Sequence, residues 1–221
     1  MDPKRTLYTD NDLLVVNKLA GELVVAAEKL TAADRGNLPL YDFLHKDNPG
    51  LRVVHRLDFG TSGVIVFARK AEVVKKIRDS KFEGWKKCYR MIVHGKLEAK
   101  TGTITKALPA RTHDVMVEAV THYRVLAVLG DYSFVETQID TGRKHQIRQH
   151  MAGIHHPLVL DPLYGDPRRD RPFKKKFRYR KFFLHAFSLD FPHPVTGKMI
   201  HVEAPLPKAF DEALQKLRSR K

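Results

Sequence analysis

The stretch HRLDFGTSG, residues 55–63, sets a histidine, an arginine and an aspartate around one leucine and then adds two glycines, a threonine and a serine. It follows the mostly apolar run Leu51-Arg52-Val53-Val54, which predicts a short strand. An ordinary turn needs one or two flexible or polar residues, whereas this stretch concentrates titratable and flexible groups together. Two interpretations of Asp58 stay open at this point, a turn-forming aspartate and a reactive carboxylate.

The net charge narrows the class of partner. Lys and Arg number 40 against 25 Asp and Glu, which gives a formal charge of +15 at pH 7. Such a balance favours a polyanionic partner, above all a nucleic acid. No run approaches the roughly 18 uncharged apolar residues that a membrane span requires, and Met1-Asp2-Pro3-Lys4-Arg5 lacks the apolar stretch of a secretory signal. We therefore expect a cytoplasmic protein without a membrane association.

The pattern of apolar residues predicts many strands and few helices. Residues 121–129 and 132–139 alternate around Gly130-Asp131, which is typical of a β-hairpin. Further strands are expected at 12–17, 64–68, 88–93, 181–191 and 198–203, and helices at 71–82, after Gly142 and at 208–218. The order of these elements predicts an α+β fold with a largely antiparallel sheet. The chain shows no internal repeat and no low-complexity linker, so residues 1–221 are expected to form a single domain.

Several familiar kinds of active site are disfavoured. Gly60-Thr61-Ser62-Gly63 falls one residue short of the nucleophile elbow of serine hydrolases, and no glycine-rich phosphate-binding motif occurs. Cys88 is the only cysteine, so neither a disulfide framework nor a thiolate zinc site is available. Four histidines, at positions 145, 150, 155 and 156, match no common metal-ligand spacing and lie among lysines and arginines. We expect no metal and no cofactor.

What remains is one carboxylate in a basic protein. An adjacent arginine lowers the pKa of an aspartate and keeps it ionised, which suits a nucleophile or a base better than a proton donor. Taken alone, Asp58 fits a turn-forming residue better than a catalyst.

Several further motifs, which follow one another in a fixed order along the chain, favour the catalytic interpretation of Asp58. They are Asn17-Lys18-Leu19-Ala20-Gly21, the opening stretch continued by Val64, Lys87-Cys88-Tyr89 with His94-Gly95, residues 142–150 (GRKHQIRQH), and a downstream series that ends at Ala204-Pro205. Together they resemble the motifs of the RluA family of RNA pseudouridine synthases, which include N-K-P-A-G, H-R-L-D-x-x-T-S-G and G-R-[TS]-H-Q-[IL]-R-x-H. The resemblance covers about residue 8 to residue 207. Leu19 replaces a usual proline, Lys144 a Thr or Ser, and Leu160 a usual glycine before Asp161.

The resemblance implies a fold, a reaction and a set of site residues. The fold would be that of a pseudouridine synthase catalytic domain with a central cleft, here without a separate N-terminal RNA-binding domain. The reaction would isomerise uridine to pseudouridine in ribosomal or transfer RNA. Asp58 would be the essential carboxylate, Arg148 its partner in a salt bridge and Tyr89 a stacking face for the target base, while Arg56 would fill the place that the flipped base leaves.

The remaining assignments concern RNA contacts and the loop itself. Gly60 and Gly63 would allow close backbone approach, and Thr61 and Ser62 would hold the loop by local hydrogen bonds. RNA contacts are assigned to Arg143, Lys144 and His145 and to a loop at 168–181, which carries nine basic residues, Lys174, Lys175 and Lys176 among them, and one acid. We expect the protein to act as a monomer.

Two alternatives come from other classes of protein. One is a catalytically inactive RNA-binding protein that retains the fold, and intact Asp58, Tyr89 and Arg148 argue against it because binding alone does not need this trio. The other is a non-specific nuclease, for which the chain lacks pairs of metal-binding carboxylates.

Overall fold

The computed structural model describes residues 2–26, 38–110, 115–177, 179 and 181–219. The strands are β1 Thr6–Thr9, β2 Leu13–Lys18, β3 Arg52–Val53, β4 Ser62–Ala68, β5 Lys86–His94, β6 Thr101–Ile104, β7 Leu108–Pro109, β8 Met116–Val117, β9 Thr121–Leu129, β10 Tyr132–Ile139, β11 Leu184–Pro192 and β12 Met199–Glu203. The helices are α1 Leu40–Asp47, α2 Ala71–Asp79, α3 Gln146–Gly153, α4 Pro167–Phe177 and α5 Lys208–Arg218, with a 3₁₀ turn at Pro3–Arg5. In these parts of the chain, no helix combines the length and apolar character that crossing a bilayer requires.

The chain forms two compact units. The first comprises Met1–Trp85 and Ala186–Pro205, and the second comprises Lys86–His185 and Leu206–Lys221. Antiparallel pairs are β1–β2, β2–β4, β3–β4 and β11–β12 in the first unit and β5–β10, β9–β10 and β6–β9 in the second. Helices accompany the strands in both units, so the predicted α+β class with a largely antiparallel sheet is confirmed.

The sheet of the first unit runs in the order β1-β2-β4-β11-β12, and β3 adds to β4. All seven residues of β4 are buried, because its Val-Ile-Val-Phe-Ala run is apolar toward both faces of the sheet. Val73, Val74 and Ile77 bring one face of α2 into the same apolar cluster as β4. This cluster fixes β4, the strand into which the HRLDFGTSG stretch leads.

The sheet of the second unit runs in the order β5-β10-β9-β6, and β7 and β8 form a separate ribbon. Gly130 turns the β9–β10 hairpin at a φ of +64°, in the left-handed region that glycine adopts without strain. One apolar cluster packs α3 against β5 and β10, and another packs α5 against the same two strands. These two clusters position the segments that carry Tyr89 and Arg148.

Several sequence predictions need correction. The helix predicted at 71–82 ends at Asp79, because Lys81 and Phe82 take left-handed φ angles of +51° and +62°. The strand at 51–54 narrows to Arg52–Val53. The stretch at 168–181 is not a loop over most of its length: Pro167–Phe177 is a helix, while residues 178 and 180 lie outside the described chain.

Candidate active site

The Asp58 loop, residues 55–61, joins β3 to β4. Its side chains point in different directions: Leu57 is buried, Asp58 is partly buried, and Arg56 and Phe59 are exposed. The backbone N–H of Thr61 donates to the carbonyl oxygen of Asp58 at 3.0 Å and closes a tight turn. Buried Leu57 therefore anchors the loop, and the charged residues on either side of it stay accessible.

Lys18, at the end of β2, is a residue that the sequence analysis did not include in the site. Its side chain is completely buried, and its Nζ donates to the carbonyl oxygens of Asp58 and Phe59 at 3.2 Å each and of Thr61 at 2.6 Å. The carbonyl oxygen of Leu19 also lies 3.2 Å from Nζ. An ammonium group supplies three donors, and here they hold the backbone at Asp58 and directly after it. The sequence feature that could have indicated this role is the position of Asn17-Lys18 at the end of a buried strand.

His55 and Gly63 fix the two ends of the loop against the sheet. His55 Nε2 accepts the backbone N–H of Val66 at 3.1 Å, and its ring meets Trp85 edge-on with 5.8 Å between centroids. Gly63 has a φ of +109°, and a Cβ at this position would overlap the backbone of Ala186 on β11. The close approach predicted for Gly63 is therefore present, although Ser62 and Gly63 already belong to β4.

Arg148 forms a buried ion pair in the second unit. Its Nε and Nη2 donate to the two carboxylate oxygens of Asp161 at 2.7 and 2.8 Å, and each residue is only 2–3% exposed. The guanidinium also lies over the rings of Tyr164 and Phe182, 5.2 and 4.5 Å from their centroids. Burial raises the pKa of Asp161, but the hydrogen bonds from Arg148 and from the N–H of Leu163 outweigh it, so the pKa lies below its ordinary value.

The turn before α3 presents Arg143, Lys144 and His145. His145 takes a left-handed φ of +53° immediately before the helix begins at Gln146. The buried amide of Gln146 accepts from the Thr141 hydroxyl and the Arg143 N–H, and it donates to the Val120 carbonyl and the Thr121 hydroxyl. Arg143 and Lys144 are exposed, and a hydrogen bond of 3.1 Å joins His145 Nδ1 to the Tyr164 hydroxyl.

Tyr89 lies on β5, opposite Thr137 of β10. It is partly buried and packs against the apolar cluster that includes Ile147 and Met151 of α3. Lys87 precedes it by two residues and so shares its face of the strand, and burial lowers the pKa of Lys87. Lys87 Nζ lies 3.8 Å from the point that a Cβ on Gly142 would occupy, at the start of the 142–150 motif. Tyr89 is thus fixed by the strand pairing of β5 and by the core beneath it.

Leu160 adopts the backbone conformation of the glycine that usually precedes Asp161. Its φ of +66° lies in the region that glycine favours, and its side chain is buried in the second unit's core. The Leu160 N–H donates to Asp170 Oδ1 at 2.8 Å, and the same oxygen lies 2.8 Å from His94 Nε2. Packing and this buried contact hold a leucine in a glycine conformation.

The same contact orients α4. Asp170 and Phe173 are buried on its inner face, whereas Lys174, Lys175 and Lys176 are exposed. The one acid in this basic stretch therefore attaches the helix to its unit, and the lysines face outward. Lys176 Nζ also lies 3.4 Å from the carbonyl oxygen of Lys216 on α5.

His150 serves as a structural group. His150 is fully buried, with Nδ1 at 2.9 Å from the Thr121 hydroxyl and Nε2 at 2.9 Å from the Lys106 carbonyl oxygen. Burial lowers its pKa. Among the described residues, the only group with metal-ligand proximity is Asp10, Asp12 and His193.

The Asp10 group is already occupied by hydrogen bonds. His193 Nδ1 accepts the N–H groups of Val195 and Thr196, so Nε2 carries the proton and donates to Asp10 Oδ2 at 3.0 Å. Asp12 forms an ion pair with Lys70 at 2.8 Å. This cluster ties the β1–β2 turn to the β11–β12 turn and does not fit a cation.

The predicted site residues are divided between the two units. Arg56, Asp58 and the segment 60–63 belong to the first unit. The second unit carries Tyr89, Arg143, Lys144, His145, Arg148, Lys174, Lys175 and Lys176.

Comparisons with known proteins identify the family. Residues 12–153 match the family described as RNA pseudouridylate synthase. The chain is 33% identical to ribosomal large subunit pseudouridine synthase D of Buchnera aphidicola subsp. Acyrthosiphon pisum (strain APS), over 96% of this chain and 72% of the relative. It is 37% identical to the uncharacterized RNA pseudouridine synthase YhcT of Bacillus subtilis (strain 168), over 91% of this chain and 68% of the relative.

A solved structure supports the same conclusion. Human RNA Pseudouridylate Synthase Domain Containing 4 superposes with a TM-score of 0.78 at 27% identity, covering 96% of this chain and 92% of that one. These findings give no support to an inactive binding protein. The chain belongs to the RluA-type family of RNA pseudouridine synthases and is an isomerase that converts uridine to pseudouridine in RNA.

Proposed function

We propose that this enzyme isomerises one or more uridines of large-subunit ribosomal RNA and that Asp58 is its essential carboxylate. The relatives named for the large ribosomal subunit support this RNA as the substrate. In this proposal the enzyme is a monomer in the cytoplasm. The relatives come from bacteria, in which ribosomal RNA is assembled into ribosomes in that compartment.

The observation that carries the proposal is the fixed backbone around Asp58. Lys18 binds the carbonyl oxygens of residues 58, 59 and 61, so the backbone that carries the carboxylate is held in place before RNA binds. A catalytic group that is positioned in advance does not lose conformational freedom when the substrate arrives. Leu57 is buried beneath the loop and blocks its collapse into the core.

The reaction breaks the glycosidic bond of the target uridine, rotates the base and rejoins it to the ribose through carbon five. A carboxylate can begin this isomerisation by adding to the ribose, by adding to the base or by removing a proton from the sugar. In each case the aspartate must be ionised when the uridine arrives. The proposal gives Arg148 the task of keeping Asp58 charged and oriented, while Asp161 fixes the plane of the guanidinium.

Two further side chains act on the flipped nucleotide. Tyr89 offers a ring for the target base, and Arg56, exposed two residues before Asp58, enters the space that the base leaves in the RNA. Arg143, Lys144 and His145, together with Lys174, Lys175 and Lys176 on α4, contact the RNA backbone. Positive charge on these segments compensates the phosphates that must approach the loop.

The test compares the parent enzyme with D58N on unmodified RNA. Transcripts of large-subunit ribosomal RNA and of transfer RNAs are incubated with each protein, and pseudouridines are mapped at nucleotide resolution. We expect the parent to modify ribosomal RNA and D58N to form no product, because the amide keeps the shape of the carboxylate without its charge or its nucleophilic oxygen. RNA affinity and melting temperature should stay close to those of the parent.

Two results would contradict the proposal. Substantial turnover by D58N would remove Asp58 from the catalytic role. Product in transfer RNA alone would overturn the ribosomal assignment and leave the role of Asp58 intact.

A further inference from the structure

Two large apolar side chains are exposed beside Asp58. Phe59, the next residue along the chain, is 43% exposed, and Leu19, directly after β2, is 48% exposed. Their backbones are neighbours, because Lys18 Nζ lies 3.2 Å from the carbonyl oxygen of each. Phe59 of the Asp58 loop and Leu19 after β2 therefore provide an exposed apolar surface close to the backbone of Asp58.

This surface is held rigidly from beneath. The Gly21 N–H donates to the Phe59 carbonyl oxygen at 2.7 Å. The Leu19 N–H donates to Glu22 Oε2 at 2.8 Å, and the same carboxylate oxygen pairs with Arg5 at 2.6 Å. Exposed apolar area is unfavourable in water at about 25 cal/mol per Å², and these hydrogen bonds fix the backbone positions from which the two side chains project. Such a rigid, exposed ring is suited to a partner with a flat apolar face.

The charges around the ring select the kind of partner. Arg56, on the same loop, is exposed and attracts RNA, whose backbone must come close for a uridine to reach Asp58. The carboxylate of Asp58 next to Phe59 repels a phosphate at the ring itself. A nucleobase is neutral and has a π-face, so it is the part of RNA that fits this position.

We propose that Phe59 is a stacking platform for an unpaired base next to the target uridine, and that Leu19 extends this platform at its edge. Stacking compensates part of the cost of unstacking the RNA when the target base is flipped. The inference rests on the proposed role of Asp58, because it is the position of the carboxylate that brings a base to this surface. Phe59 acts as a binding and specificity residue and takes no part in bond making.

Binding to a short fluorescein-labelled oligouridylate at several salt concentrations tests the platform. F59A should weaken affinity about ten-fold at every salt concentration, within the range found when aromatic rings that stack on bases are removed. F59W should keep the parent's affinity, and F59L should fall between them, because leucine is apolar but offers no ring. The slope of log affinity against log salt should stay unchanged, since stacking releases no counterions.

M199A is the matched control, because Met199 is 62% exposed on β12 of the same unit and lies outside the loop. It should bind like the parent. If F59A or F59L binds with the parent's affinity, Phe59 does not stack on a base. If F59A binds more weakly and its slope of log affinity against log salt is flatter, the loss of affinity comes from phosphate contacts instead. Binding is measured without turnover, so a wrong assignment of Asp58, detected by product from D58N, is distinguishable from a wrong inference about Phe59.

Discussion

Arg148 and Asp161 carry opposite charges at positions that water hardly reaches. Moving each ion out of water costs several kcal/mol, and the pair offsets this cost only through good geometry and further hydrogen bonds. Both are present, since two short bonds join the side chains and the N–H groups of Leu163 and Tyr164 donate to Asp161 Oδ1 at 3.0 and 3.2 Å. Such a pair fixes the direction of the guanidinium, which is what a partner for a catalytic carboxylate needs.

R148M should lower the rate of isomerisation by orders of magnitude and destabilise the fold by about 3–5 kcal/mol, because it leaves Asp161 buried without its partner. Urea unfolding and single-turnover kinetics measure the two effects. R148M/D161N should recover much of the stability, since the amide oxygen still accepts the two N–H groups and carries no charge. The double variant should stay inactive, and parent-like turnover in either variant would show that Arg148 does not serve Asp58.

The helix α4 combines a buried acid with an exposed basic surface. Asp170 and Phe173 are one turn apart on its inner face, and Asp170 is held by His94 and by the Leu160 N–H. The helix therefore presents its lysines on a rigid element. A rigid array of charges binds phosphates at a lower entropic cost than a flexible loop does.

K174Q/K175Q/K176Q should weaken RNA affinity and flatten the slope of log affinity against log salt by up to about two to three units. The single-turnover rate at saturating RNA should stay close to the parent's, because the chemistry is proposed to occur at Asp58. Affinity measured at several salt concentrations provides the slope. K75Q/K76Q/K81Q removes the same charge from exposed positions in the first unit, and an equal flattening in both triple variants would leave only a general charge effect.

Some elements could be predicted from local pattern, and others depend on distant contacts. The β9–β10 hairpin follows from alternation and one glycine, and α5 from apolar residues at helical spacing, so both have the predicted bounds. The sequence pattern did not predict a helix at α4. Phe173 and Phe177 are its only large apolar residues, and two such residues in a very basic segment do not make a clear helical pattern. The hydrogen bonds from Lys18 to the Asp58 loop join residues about 40 positions apart, and a local sequence pattern cannot predict such contacts.

A change of pH alters the stability of the protein in opposite directions through the buried His150 and the exposed His201. Burial lowers the pKa of His150, whereas a hydrogen bond to Asp190 raises the pKa of His201. An unfolded histidine titrates at about pH 6.5. When the pH falls below this value, His150 becomes protonated in the unfolded chain but stays neutral in the folded chain. The folded state therefore loses stability relative to the unfolded state. At position 201 the folded chain binds the proton more tightly, and its contribution is lost as the pH rises through the raised pKa.

H150Q should therefore differ most from the parent in free energy of unfolding at about pH 7.5, and the difference should shrink toward about pH 5.5. Glutamine can still accept from Thr121 and donate to the Lys106 carbonyl. H201Q should show the opposite trend, with a difference that grows as the pH falls. Urea unfolding across this range measures both, and a constant difference for H150Q would contradict the neutral, buried role of His150.

The contacts of Lys18 have a consequence for how this enzyme can change. Its Nζ binds carbonyl oxygens, which every amino acid carries, so these bonds do not require particular side chains at the exposed positions 19 and 59. If Asp58 and Phe59 have the roles proposed above, substitutions at positions 19 and 59 should alter which RNA is accepted while the backbone of Asp58 keeps its place. We therefore expect variation at these two positions, natural or from a randomised library, to redirect the enzyme to a new uridine.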